Sequence, residues 1–192
     1  ISVPEINMND TEQIDSFINV GSLHKRKQNE TAILCFSKVL TKAKRNLFFH
    51  FVGDGPEKRN LQKLVENLNI SNNVIFHGHI DSYEDLIPVY RRSYATISYG
   101  QAGLAVLQSI GFGTPFITKK NAITGGEINN IVHGKNGFLV NDEKEVVNVM
   151  IRLIDDIEHQ LEMEKFCFSY YKENCSIESM GKSFRDILNE NL

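Results

Sequence analysis

Apolar residues along this 192-residue chain fall into two alternating kinds of run. Short stretches rich in Val, Ile and Phe occupy residues 17–20, 47–52, 73–76, 94–98, 115–118 and 137–140, and predict strands buried on both faces. Between them, apolar positions recur at helical spacing. Ile33, Leu34, Phe36, Val39 and Leu40 predict a helix over 31–44. Pro56 followed by Leu61, Leu64, Val65 and Leu68 predicts a helix over 56–68, with the proline in its first turn. Ser82, with Asp85 three residues on, predicts a capped start for a helix over 83–92. Residues 104–112 read as a shorter helix. From Lys144 to Leu192 no strand pattern appears. That tail predicts two or three helices, the first carrying Val146, Val147, Met150, Ile151 and Ile154 on one stripe. Residues 1–15 are polar and patternless, as a linker would be. Strand–helix alternation of this kind predicts an α/β fold: a Rossmann-like, doubly wound parallel sheet of about six strands, helices on both faces, and a helical C-terminal tail.

Composition narrows the function classes. The net charge is −3 with no block of basic residues, which argues against binding a nucleic-acid backbone. No apolar run reaches the roughly 18 residues a membrane-spanning helix needs. Cys35, Cys167 and Cys175 are an odd set without metal spacing, and predict reduced thiols and a cytoplasmic location. His77 and His79 flank Gly78 and would share one face of a strand. With no third ligand nearby they read as two polar side chains at a strand end rather than a metal pair.

In a doubly wound sheet, ligands bind beyond the carboxyl ends of the strands, where strand order reverses. The segments after the first five predicted strands read "GSLHKRK", "GDGPEK", "HGHID", "YGQAG" and "KKNAITGG". Lys25, Arg26 and Lys27 leave the first strand together, which suits a phosphate, although taken alone they read better as a solvated basic loop. Gly53 and Gly55 flank a strand-to-helix turn and by themselves mean little. Gly100 and Gly103 precede a helix whose first amides lack intrahelical partners and could meet an anion. Gln108, one turn into that helix, would face either a ligand hydroxyl or a neighbouring loop. Thr124, Gly125 and Gly126 precede another predicted short helix. Jointly these loops favour a nucleotide-type ligand.

In their order and spacing, "GSLHKRKQ", "FHFVGDGPEKRNLQKLVENLNISNNVIFHGHI", "LIPVYRRSYATIS", "GLAVLQSIGFGTPFIT" and "TGGEINNIVHGKNGFLV" resemble the C-terminal half of GT-B glycosyltransferases, specifically the retaining family 4. The resemblance covers roughly residues 17–150. It implies that residues 17–158 form a domain binding a nucleotide-diphosphate sugar, that 1–16 are a linker remnant, and that 159–192 are helices packing toward a missing N-terminal acceptor-binding domain. The helix over 176–192 would cross back, leaving Met180, Phe184, Ile187 and Leu188 partly exposed. The implied activity is transfer of a sugar to a glycan or lipid acceptor with retention, in the cytoplasm or at the inner face of the membrane. The donor is a substrate, and neither a metal nor a cofactor is implied.

Carried over by position, the resemblance places the phosphate loop on Gly21, Ser22, Leu23 and Lys27, with Ser22 where the family has arginine. The glycine turn falls on Gly53, Gly55 and Pro56, and the base-facing segment on residues 76–80, including His77, Gly78 and His79. Backbone contacts to the donor fall on Gly103 and Leu104. The family's two glutamates fall on Gly100 and Gln108, and a later acid falls on Asn129, so all three carboxylates are absent. Lys27 is then expected to stabilise the departing diphosphate, while Gly100 marks a lost catalytic side chain. The departures leave two alternatives open. One is a degenerate domain acting as scaffold or partner of an active transferase. The other is a different GT-B enzyme, such as an epimerase or a phosphorylase.

Overall fold

The computed structural model describes residues 13–179 and 181. Six strands, β1 (Ser16–Val20), β2 (Phe48–Val52), β3 (Val74–Gly78), β4 (Ser93–Ile97), β5 (Phe116–Lys119) and β6 (Gly137–Val140), form one sheet in the order β3-β2-β1-β4-β5-β6. Every neighbouring pair is parallel. Strand order reverses between β1 and β4, and Asn19 Nδ2 ties the two by donating to the Ile97 carbonyl at 2.6 Å.

The helices are α1 (Asn29–Lys42), α2 (Lys58–Asn67), α3 (Tyr83–Arg91), α4 (Ala105–Gly111), α5 (Glu143–Asp155) and α6 (Ile157–Tyr170). One face of the sheet packs Phe17, Phe49 and Phe51 against Ile33 and Phe36 of α1, Leu61 and Val65 of α2, and Val146 and Met150 of α5. On the other face, Ile18 and Val52 pack with Leu86 and Tyr90 of α3 and with Phe112, whose ring stacks on Tyr90 at 4.3 Å. Alternation along β2 explains the split, since successive side chains point to opposite faces. The aromatic pair at 49 and 51 enters the larger core, while His50 and Val52 face the other way. α6 is anchored by Gln160 Nε2, which donates to the Tyr94 carbonyl at 3.0 Å, and by the buried Met163 and Cys167.

The expected α/β architecture is therefore the observed one, with two local corrections. His77 and Gly78 belong to β3 rather than to the loop after it, because the pairing with β2 continues through Val52↔Gly78 past an irregularity. The short helix after Gly126 is a single 3-10 turn, Glu127–Asn130. Ser82 caps α3 as the sequence predicts, accepting from the Asp85 amide at 3.1 Å. α6 runs into a π turn at Tyr171–Cys175. Met180, Phe184, Ile187 and Leu188 lie outside the described residues.

Candidate functional site

The loops leaving β3, β2, β1, β4 and β5 are laced together by main-chain hydrogen bonds along one edge of the sheet. The Gly53 amide donates to the Gly78 carbonyl at 2.6 Å, and the Gly21 amide to the Val52 carbonyl at 2.9 Å. Leu23 donates to the Asp54 carbonyl at 2.9 Å and accepts from Glu57 at 3.0 Å. The Gly100 amide reaches the Lys27 carbonyl at 3.0 Å, and the Gly100 carbonyl receives the Ile123 amide at 3.0 Å. Closeness of this kind selects the residue type. Gly53 has φ +131°, and a Cβ there would lie 2.1 Å from the Gly21 carbonyl oxygen. A Cβ on Gly100 would lie 2.4 Å from the Arg26 carbonyl oxygen and 2.8 Å from Gln28 Cγ. Position 100 is thus closed to any side chain as the loop now runs.

The three adjacent cations after β1 go to three different places. Lys25 lines a hollow of about 230 Å³ between α1 and α2, shared with His24, Glu30 and Glu57. Arg26 crosses the rim, its Nε donating to Gln101 Oε1 at 3.2 Å. Lys27 ends a 3-10 turn, Lys25–Lys27, which Gln28 in left-handed conformation joins to α1. Its side chain turns inward, is only 8% exposed, and brings Nζ to within 3.0 Å of where a Cβ on Gly21 would be. Among the described residues no carboxylate pairs with Lys27 and no side-chain hydrogen bond reaches it. Burial, reinforced by the nearby Arg26 guanidinium, pulls its pKa below the ordinary lysine value. A buried cation without a partner is unfavourable unless an anion completes it.

The other predicted positions divide. Ser22 is exposed, while its neighbour Leu23 is fully buried and anchors the loop. Gly55 stays in the turn before α2, its amide capped by Asp54 Oδ1 at 2.7 Å. His77 is turned along the sheet, with Nε2 2.8 Å from His50 Nδ1. Burial, then His77 and Arg92, push the His50 pKa down to about 4, with Asp15 opposing, and burial lowers that of His77. His79 points away and pairs with Asp81 at 2.9 Å. Gly103 lies open at the start of α4, with Leu104 62% exposed beside it. Gln108 faces α3, its Oε1 3.5 Å from the Tyr90 hydroxyl. Gly125 donates to Glu127 Oε2 at 2.8 Å, so the rim's acid after β5 is occupied locally. Asn129 lies in the 3-10 turn.

Sequence reasoning passed over Gln101, although it stands beside Gly100. The signal was its pairing with Arg26, which 75 residues of separation hide. A larger groove of about 570 Å³ lies between α1 and α5, lined by Lys38, Lys42, Lys119 and Lys144. Two of its cations already have partners: Lys38 pairs with Glu143 at 3.6 Å and Lys119 sits over the Tyr99 ring. The rim around Lys27, whose buried cation has no carboxylate partner among the described residues, is therefore the better candidate. Among the described residues, no three His, Cys, Asp or Glu side chains gather as a metal site would need, and no helix is long and apolar enough to cross a membrane.

Residues 6–167 match the family described as Glycosyl transferases group 1. The chain is 30% identical over 156 residues to N-acetyl-alpha-D-glucosaminyl L-malate synthase of Bacillus anthracis, covering 80% of this chain and 39% of that protein. It is 22% identical over 148 residues to poly(ribitol-phosphate) alpha-N-acetylglucosaminyltransferase of Staphylococcus aureus (strain COL), covering 76% and 26%. Its fold matches that of a point mutant of S. aureus TarM in complex with fondaparinux, alpha-GlcNAc-glycerol and UDP, with TM-score 0.81 and 19% identity, covering 97% of this chain and 38% of that one. The chain thus spans well under half the length of these relatives.

Proposed function

The chain belongs to the glycosyl transferases group 1, and from that premise we propose that its rim holds the diphosphate of a nucleotide-sugar donor for transfer to a glycan or lipid acceptor. The observation that carries this reading is Lys27: buried, without a carboxylate partner, and delivered to the edge where the β1 and β4 loops meet. As the bond between the anomeric carbon and the diphosphate oxygen breaks, negative charge grows on the leaving group. A fixed ammonium there stabilises that charge more than it stabilises the intact donor. Gly21, Ser22, Gly53, Gly55, Gly103 and Leu104 would bring main chain close to the phosphates, His77, Gly78 and His79 would border the base, and Gln108 the ribose. Retention of anomeric configuration follows the family.

The named relatives supply the first donor to try, since both names specify N-acetylglucosamine and TarM was solved with UDP. Residues 17–158 form the donor domain in this reading. A second, acceptor-binding domain would cover the rim, where Leu104 and Ile123 are 62% and 55% exposed. Residues 1–16 would be the linker to that domain, and 159–192 would pack toward it. The whole protein would work in the cytoplasm or at the inner face of the membrane. Calorimetric titration with UDP, GDP and ADP sugars tests the donor reading. Binding that Lys27→Ala weakens supports it, and no binding of any at millimolar concentration overturns it.

A second reading, a non-catalytic domain serving an active transferase, is favoured by one observation: position 100 is closed to side chains and Gln108 is turned to Tyr90, so neither position offers a carboxylate between the β1 and β4 loops. It predicts donor binding without turnover by the whole protein on crude lipid and glycan acceptors.

A further inference from the structure

Lys27 supplies one positive charge, whereas a diphosphate carries more than one negative charge near neutral pH. The loop residue aligned with the family's arginine is Ser22, which is exposed and uncharged. A second cation nevertheless stands at the mouth. Arg26 is exposed, and among the described residues its only side-chain hydrogen bond uses Nε, which Gln101 Oε1 accepts at 3.2 Å across the gap between the β1 and β4 loops. That leaves the two terminal amino groups of the guanidinium, the half of the fork suited to gripping phosphate oxygens in pairs, without a protein partner among the described residues. The two cations are close enough for Arg26 to lower the Lys27 pKa, and no carboxylate among the described residues relieves the repulsion.

We propose that Arg26, steered by Gln101, is the second diphosphate-binding cation of this chain. This rests on the donor reading above and deepens it. Gln101 is the positioning residue: its amide oxygen fixes the guanidinium plane, while its Nε2 lies 3.8 Å from the Cβ position of Gly103, at the open start of α4. The arrangement also accounts for Gly100. A side chain there would collide with the Arg26 carbonyl oxygen and displace the turn that delivers both cations. The chain thus holds a cation five residues after the β1 glycine instead of one residue after it, and gives up the side chain at 100 to make room.

The test compares UDP, UMP and inorganic pyrophosphate by calorimetry on the unaltered protein and on Arg26→Gln, Arg26→Lys, Gln101→Ala and Lys27→Ala. Pyrophosphate makes the comparison independent of the base. We expect Arg26→Gln to weaken UDP and pyrophosphate about tenfold or more while changing UMP by less than about threefold. Arg26→Lys should recover only part of the loss because a point charge lacks the fork. Gln101→Ala should weaken UDP by a few-fold at most, again sparing UMP, and should add nothing in an Arg26→Gln background. If Lys27→Ala weakens UDP but Arg26→Gln does not, or if Arg26→Gln weakens UDP and UMP equally, the inference falls and the donor reading stands. If neither UDP nor pyrophosphate binds the unaltered protein, the inference falls together with the reading of Lys27 as a diphosphate site.

Discussion

The two edges of the sheet treat their cations in opposite ways. At the edge where β1 and β4 begin, Arg92 follows α3 and forks onto Asp15, with Nε 3.2 Å from Oδ1 and a terminal nitrogen on Oδ2. The Arg92 carbonyl receives the Ser16 hydroxyl at 2.7 Å and the Asp15 and Ser16 amides. Charge and hydrogen bonds close on themselves there. At the opposite edge, Lys27 is more deeply buried than Arg92 and has no carboxylate partner among the described residues. Lys27 lies where a strand hands over to a helix and Arg92 where a helix hands over to a strand, so the two cations mark opposite ends of the sheet's strands. One edge is complete as a piece of protein, whereas the other, in the reading proposed above, would be completed by an anionic ligand.

The largest effect should come from the interlock that holds the open edge together. Gly53→Ala would force a Cβ into the Gly21 carbonyl at a φ that favours glycine, and we expect a loss of about 3 kcal/mol or more in chemical denaturation. A loss below about 1 kcal/mol would mean that the loops after β1 and β2 are not mutually locked. The next effect separates a neutral buried pair from a charged one. His50 is buried against His77, and its folded pKa of about 4 lies below the ordinary 6.5. Because the unfolded chain binds the proton more readily, stability is fully present above about pH 6.5. It declines as pH falls toward 4, by on the order of 2–3 kcal/mol. Thermal unfolding across that window should show the decline, and His50→Phe should flatten it; an equally steep decline in His50→Phe would assign it to other groups. The smallest effect belongs to the closed edge. Asp15→Asn should destabilise by about 1 kcal/mol, since the pair is only partly shielded from water. No measurable change would mean that the backbone bonds alone finish that edge.

Much of this was legible in the residues. Hydrophobic runs located all six strands, since strands buried on both faces leave continuous apolar signatures, and Ser82 marked the start of α3 through a local hydrogen bond. The end of β3 was not legible: His77 and Gly78 look like loop by composition and become strand only through pairing with β2. The site divides in the same way. Lys27 and the glycines lie in short motifs and could be found by position. That Lys25, Arg26 and Lys27 diverge could not be read locally, because a 3-10 turn and the left-handed Gln28 decide it. Gln101 and the His50–His77 pair depend on contacts between residues 75 and 27 positions apart, respectively, which no local pattern encodes.

The central claim is that Lys27 is kept for a ligand and not for the fold, and replacing its charge by a shape of similar length measures this directly. Unfolding of Lys27→Met should show stability equal to or above that of the unaltered protein, because an uncompensated buried charge has been removed, while the stabilisation conferred by UDP or pyrophosphate disappears. A Lys27→Met protein clearly less stable without ligand, yet still stabilised by UDP and pyrophosphate as before, would contradict the account.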